Sequence, residues 1–116
     1  MNIKLANGLL MIILAWFTAA GAGAQGKVEI PPVRDFTLEA TNARSKNVPI
    51  LVLFSRHDCV FCSQVQREFL LPMRRNAEYE SKVIMRQIDI GSSAPLRNFS
   101  GKATTQARFA REHRIK

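Results

Sequence analysis

The chain has 116 residues, 47% of them hydrophobic, with 17 basic and 9 acidic side chains for a net charge of +8, and it carries two cysteines and two histidines. One small domain is the upper limit for such a length. The basic residues are scattered and not interleaved with aromatics suited to stacking on bases, so they read as solvated faces rather than a nucleic-acid surface, although weak attraction to acidic partners or anionic lipid follows from charge alone.

The first residues carry one positive charge at Lys4, an apolar run over residues 9–17, and small residues ending in Ala22-Gly23-Ala24. This is the three-part pattern of a secretory signal, and its run falls short of the ~20 residues that span a bilayer. A signal peptide over residues 1–24, cleaved after Ala24, is expected, with an uncleaved N-terminal anchor as the alternative. Either way the remainder is exported, to the periplasm or an equivalent compartment, and touches a membrane only through the signal. Cleavage would leave 92 residues and remove Lys4, taking the net charge to +7. Residues 25–34 then read as an extended linker, because Pro31 and Pro32 forbid a helix.

Asp35 can cap a helix starting at Phe36, with Phe36, Ala40 and Ala43 on one side and Asn47 and Pro49 stopping it. Residues 49–54, "PILVLF", form a continuous apolar run, as expected of a strand covered on both faces. From Cys59 the pattern turns helical: Phe61, Val65 and Phe69 recur every fourth residue and are expected to form the inward side, although Phe61 could equally serve at the surface. Pro72 is expected at the first turn of a short second helix over residues 72–79. A second strand is expected over residues 82–90. Strand, crossover helix and strand make a βαβ unit with parallel strands. Residues 91–102 read as a turn-rich loop. Residues 104–115 read as an amphipathic helix capped by Thr104 or Thr105, burying Ala107, Phe109 or Ala110.

The two cysteines, in "HDCVFC", therefore open a helix at the end of a strand. At a helix N-terminus free N–H groups stabilise a thiolate, which makes Cys59 the nucleophile. Cys62 lies nearly one turn on, at a Cα separation of roughly 5–6 Å that a disulfide can close, and can resolve a mixed disulfide formed at Cys59. Such a pair attacks a partner's disulfide, passes through an intermolecular disulfide and releases the partner when the second cysteine attacks. No organic cofactor or metal is required. Arg56 and a partly protonated His57 favour the thiolate, while the neighbouring Asp58 opposes it. Val60 and Phe61 offer no side-chain donors, so stabilisation rests mainly on backbone.

Other readings of the pair are weaker. Haem attachment needs a histidine directly after the second cysteine, where Ser63 stands. A zinc or copper carrier could use His57, Cys59, Cys62 and His113, but there is no second CxxC and His113 belongs to a different helix. A structural disulfide would close too short a loop to constrain the unfolded chain much.

The stretch "VPILVLFSRHDCVFCSQVQREFLLPM" resembles the strand, loop, CxxC and helix that open thioredoxin-like domains, and is similar to the periplasmic SoxW-type members. The similarity continues through "VIMRQIDI", with its terminal Asp89, and "TTQARFAREHRIK", covering residues 36–116. It implies an α/β thioredoxin-like domain over residues 35–116, a redox-active Cys59–Cys62 disulfide, protein thiols or disulfides as partners, and a recycling oxidoreductase. Departures are evident. Thioredoxin itself has tryptophan where Asp58 stands, Gly-Pro in place of Val60-Phe61, and a buried acid at the position of Leu53, which cannot shuttle a proton. The family's cis-proline loop, following hairpin and last helix have no counterpart here, so the sequence reads as C-terminally truncated, an incomplete fold with an exposed edge on its first strand. An inactive remnant is the corresponding alternative function.

Overall fold

The computed structural model describes residues 29–116. The expected signal, residues 1–24, and the first residues of the linker lie outside the described residues. Among the described residues, no helix is long and apolar enough to cross a membrane.

Helix α1, Phe36–Lys46, starts where expected because Asp35, in extended backbone, accepts hydrogen bonds from Thr37 N at 2.8 Å and Leu38 N at 3.4 Å. These satisfy amide groups that the first helical turn leaves without partners. It ends at Asn47, whose φ of 53° places it in the left-handed region and directs its N–H back to Ala43 O and Arg44 O. Asparagine tolerates that conformation better than most residues.

The surroundings of Asp35 also favour its charged form. The Thr37 hydroxyl donates to it at 2.6 Å, backbone amides of Thr37 and Leu38 add to this, and Arg97 lies 3.3 Å away. Together they hold its pKa below the ordinary 3.8, against a smaller opposing effect of burial. A depressed carboxylate pKa stabilises the fold fully above the unfolded value of about 3.9 and loses that contribution as the pH falls through the folded value. Asp35→Asn keeps a capping oxygen and removes only the charge. Its melting temperature is expected to lie below that of the unmodified chain at pH 6, with the gap closing from about pH 4 downwards. A gap that persisted unchanged into strong acid would show that the charge is not what stabilises the cap.

Strands β1, Ile50–Ser55, and β2, Ile84–Asp89, pair in parallel, with Leu51 opposite Met85, Leu53 opposite Gln87 and Phe54 opposite Ile88. The chain between them contains α2, Val60–Val65, a wider π turn at Gln66–Leu70, then α3, Leu71–Arg75, and α4, Ala77–Glu80. The expected βαβ unit is therefore present. The expected break before residues 72–79 is not: helical backbone runs on through Pro72, and the break falls at Asn76, which caps α4 through its side chain. The π turn explains how Pro72 is accommodated. Proline has no N–H to give to the carbonyl four residues back and its ring crowds that carbonyl, so the preceding turn widens and Leu71 N reaches Gln66 O instead.

Alternation along the two strands sends side chains to opposite faces, and each face has its own core. On one face Val52 and Phe54 pack against Val33, Phe36, Ile88, Leu96 and Phe109. On the other Leu51 and Leu53 meet Ile30, Met85 and Leu70, with Leu71 and Met73. The apolar run in β1 is thus covered on both faces, as its lack of alternation implies. Beyond β2, residues 31–33 form an extra backbone bridge, with Gln87 N donating to Pro31 O and Val33 N to Gln87 O, each at 3.0 Å. Among the described residues β1 pairs only with β2, leaving its other edge open.

The stretch expected to be a loop contains a small antiparallel hairpin, β3, Pro95–Arg97, and β4, Ala103–Thr105. Asn98 makes the turn: its Oδ1 accepts from Ser100 N at 3.0 Å and Lys102 N at 2.9 Å, and Gly101 takes a φ of 79° that a residue with a side chain rarely adopts. Helix α5, Gln106–Glu112, follows directly, with Thr105 as its cap and Phe109 and Ala110 buried as expected.

Helix α2 and the π turn present to the core a different side from the one expected. Phe61, Val65 and Phe69 do not face the core: they are 80%, 40% and 60% exposed. The inward positions are those of Gln66, which bonds Gln87 on β2, and of Leu70, which is buried.

Candidate active site

The site forms where β1 ends and α2 begins. After Ser55 the chain turns through Arg56, His57 and Asp58, and Cys59 N donates to Arg56 O at 3.1 Å to close the turn. Cys59 then sits at the N-cap of α2 in extended backbone, with its Sγ accepting from Cys62 N at 3.2 Å. This is the position the sequence assigns to it. The stabilising donor is backbone, since Val60 and Phe61 point outward. Ser63 adds to the turn, its N donating to Cys59 O at 3.1 Å.

Cys59 and Cys62 are joined by a disulfide, with Cα atoms 5.2 Å apart. Both residues are half-buried, so the bond lies at the surface without being fully exposed. Of the three residues expected to tune the pair, Arg56 and Asp58 face one another at 3.7 Å, and both are well exposed. Their opposing effects on a nearby thiolate are therefore partly cancelled between themselves and screened by water. His57 is exposed at the rim of a cleft of about 730 Å³ that Ser63, Gln66, Gln87 and Gln106 also line.

Three polar side chains in this cleft, Gln66, Gln87 and Gln106, were not singled out by sequence reasoning. Gln66 Nε2 donates to Gln87 Oε1 at 3.1 Å, tying α2 to β2, and Gln87 stands beside Leu53 in the strand register. An uncharged amide pair thus occupies the level at which the resemblance places a carboxylic acid. Amides hold position by hydrogen bonding but do not titrate, so this pair can orient the helix and cannot relay a proton. The buried Gln106 accepts from Asp89 N at 2.7 Å and fixes the end of β2 against α5. The signal for Gln87 was its place in an otherwise half-apolar strand, where an enclosed amide needs a partner and even a half-buried one gains from it.

The two cysteines considered for a metal are bonded to each other instead. Among the described residues no group of three or more His, Cys, Asp or Glu is placed to hold a metal ion. His113 is exposed at the end of α5, its ring centroid 4.1 Å from that of the buried Phe109 and its Nδ1 donating to Phe109 O at 2.8 Å.

The family model described as a thioredoxin-like domain matches residues 36–116. No curated protein and no solved structure matches the chain.

Proposed function

Because the chain belongs to the thioredoxin-like domain family, we propose that it is an exported, periplasmic thiol-disulfide oxidoreductase of the SoxW type, acting on cysteines of client proteins. One observation carries the reading: the chain's two cysteines form a disulfide at the point where β1 passes into a helix, with a backbone N–H directed at Cys59 Sγ.

The chemistry needs only these two residues and a client. In the reducing direction the Cys59 thiolate attacks one sulfur of a client disulfide. The client S–S bond breaks, one client sulfur leaves as a thiolate and takes a proton from water, and the other is held on Cys59. Cys62 then gives up its proton to water and attacks Cys59 Sγ, forming the intramolecular disulfide and releasing the second client thiolate. Two electrons pass from the dithiol to the client. The oxidising direction is the reverse, beginning with a client thiolate attacking Cys59 Sγ. A separate oxidoreductase resets the pair in either case.

The direct test is equilibration of the chain in glutathione buffers, followed by acid quenching, alkylation and intact mass. A reversible two-electron transition between dithiol and disulfide is expected, with its midpoint giving the favoured direction. In this couple a displacement of ~30 mV corresponds to ~1.4 kcal/mol. A pair that remains oxidised or reduced across the whole buffer range would overturn the reading.

A further inference from the structure

Phe61, Val65 and Phe69 follow one another at four-residue spacing down the outer face of α2 and the π turn, and Val60, 75% exposed, stands beside the first of them. The four together expose on the order of 500 Å². A contiguous apolar patch of that size is about the largest a monomer usually carries and is often functional. The strip has a fixed origin, since Val60 and Phe61 are the two residues between the cysteines. Anything lying along it therefore lies against the disulfide.

The area decides between occupants. Two copies of the chain meeting strip to strip would bury about 1,000 Å² in total, below the roughly 1,600 Å² of stable interfaces and within the range of brief redox encounters. The strip is also one-sided: across the cysteines the surface turns polar, with Arg56, His57 and the amide-lined cleft. From Phe61 to Phe69 the helix advances ~12 Å. An extended segment covers the same distance in about four residues.

Resting on the exchange reaction proposed above, the geometry points to this strip as a docking surface for client segments that carry apolar side chains within about four residues of the reacting cysteine. Val65 and Phe69, one and two turns beyond Cys62, are its distal part. A disulfide in an unfolded or partly folded apolar stretch is then preferred over the same disulfide in a polar one.

The test uses the full chain, first reduced with dithiothreitol that is then removed. Its second-order rate is measured with two peptide–glutathione mixed disulfides, identical except that one bears leucine and phenylalanine near the cysteine and the other serine. Oxidised glutathione serves as the reference in every case. The apolar peptide is expected to react at least about tenfold faster, equivalent to ~1.4 kcal/mol. Combined Val65→Ser and Phe69→Ser should bring the ratio near one, whereas Leu38→Ser, an exposed apolar change on α1, should preserve it. A ratio near one in the unmodified chain, or one that survives the double substitution, overturns the docking surface while exchange with glutathione still stands. Self-association by sedimentation that the double substitution abolishes also overturns it, assigning the strip to a second copy. Absence of exchange even with oxidised glutathione removes the underlying reaction, and this inference with it.

Discussion

Cys59→Ser is expected to reduce disulfide exchange to the uncatalysed background, whereas Cys62→Ser is expected to leave the first step intact and accumulate clients bound to Cys59. The asymmetry follows from placement. Cys59 caps the helix and has a backbone N–H at 3.2 Å from its sulfur, so it is the sulfur whose negative charge the backbone can accept. Cys62 sits within the first turn and has a single nearby target, Cys59. With only two cysteines in the chain, no third can substitute for either. Intact mass gives the readout: Cys62→Ser shows an adduct of the client's mass that dithiothreitol removes, and Cys59→Ser shows none. Adducts on Cys59→Ser instead would reverse the assigned roles, and full turnover in Cys62→Ser would show that resolution does not depend on it.

The second large effect belongs to the opposite face of the sheet. Phe36 is 1% exposed and its ring stacks on those of both Phe99 and Phe109, at 4.3 and 4.8 Å between centroids. Phe36→Ala removes most of a ring from a core that also contains Val33, Ile88 and Leu96. Changes of this kind cost about 3–5 kcal/mol, the lost transfer free energy adding to that of the cavity. Domains are stable by about 5–15 kcal/mol, and small ones bury the least surface. Urea titration should therefore find the variant largely unfolded, or with its midpoint displaced far towards water. Leu38→Ala, on the same helix and 63% exposed, should stay within about 0.5 kcal/mol of the parent. A Phe36→Ala cost similar to that of Leu38→Ala would mean that this cluster is not what holds the domain.

The parts of this architecture that the sequence declares are those where one local rule acts without competition. Asp35 and Thr105 are capping residues next to helical runs, and both cap. The uninterrupted "PILVLF" run implies a strand covered twice over, and its side chains divide between two cores. The CxxC pair at the strand-to-helix junction follows from the same local reading. Tertiary choices were less legible. The spacing of Phe61, Val65 and Phe69 correctly indicates helical period but not which side turns inward. That was decided by Leu70 and by Gln66, a polar residue whose inward place makes sense only once Gln87 is opposite it. The β3–β4 hairpin has three residues in each strand, too few for alternation to register, and its turn depends on hydrogen bonds of a single asparagine.

The two cores divide labour in a way that bears on how such a chain can change over generations. Helix α2, which carries the disulfide, has no buried residue of its own, and the first buried side chain after it is Leu70. Phe36, Val33, Ile88 and Phe109 are on the other side of the β1–β2 pair, out of reach of the cysteines' neighbours. Substitutions at Val60, Phe61, Val65 or Phe69 can therefore alter what meets the sulfurs while leaving the main hydrophobic anchor untouched. Under the exchange reaction proposed above, the preference for clients can drift without each step being constrained by the need to remain folded.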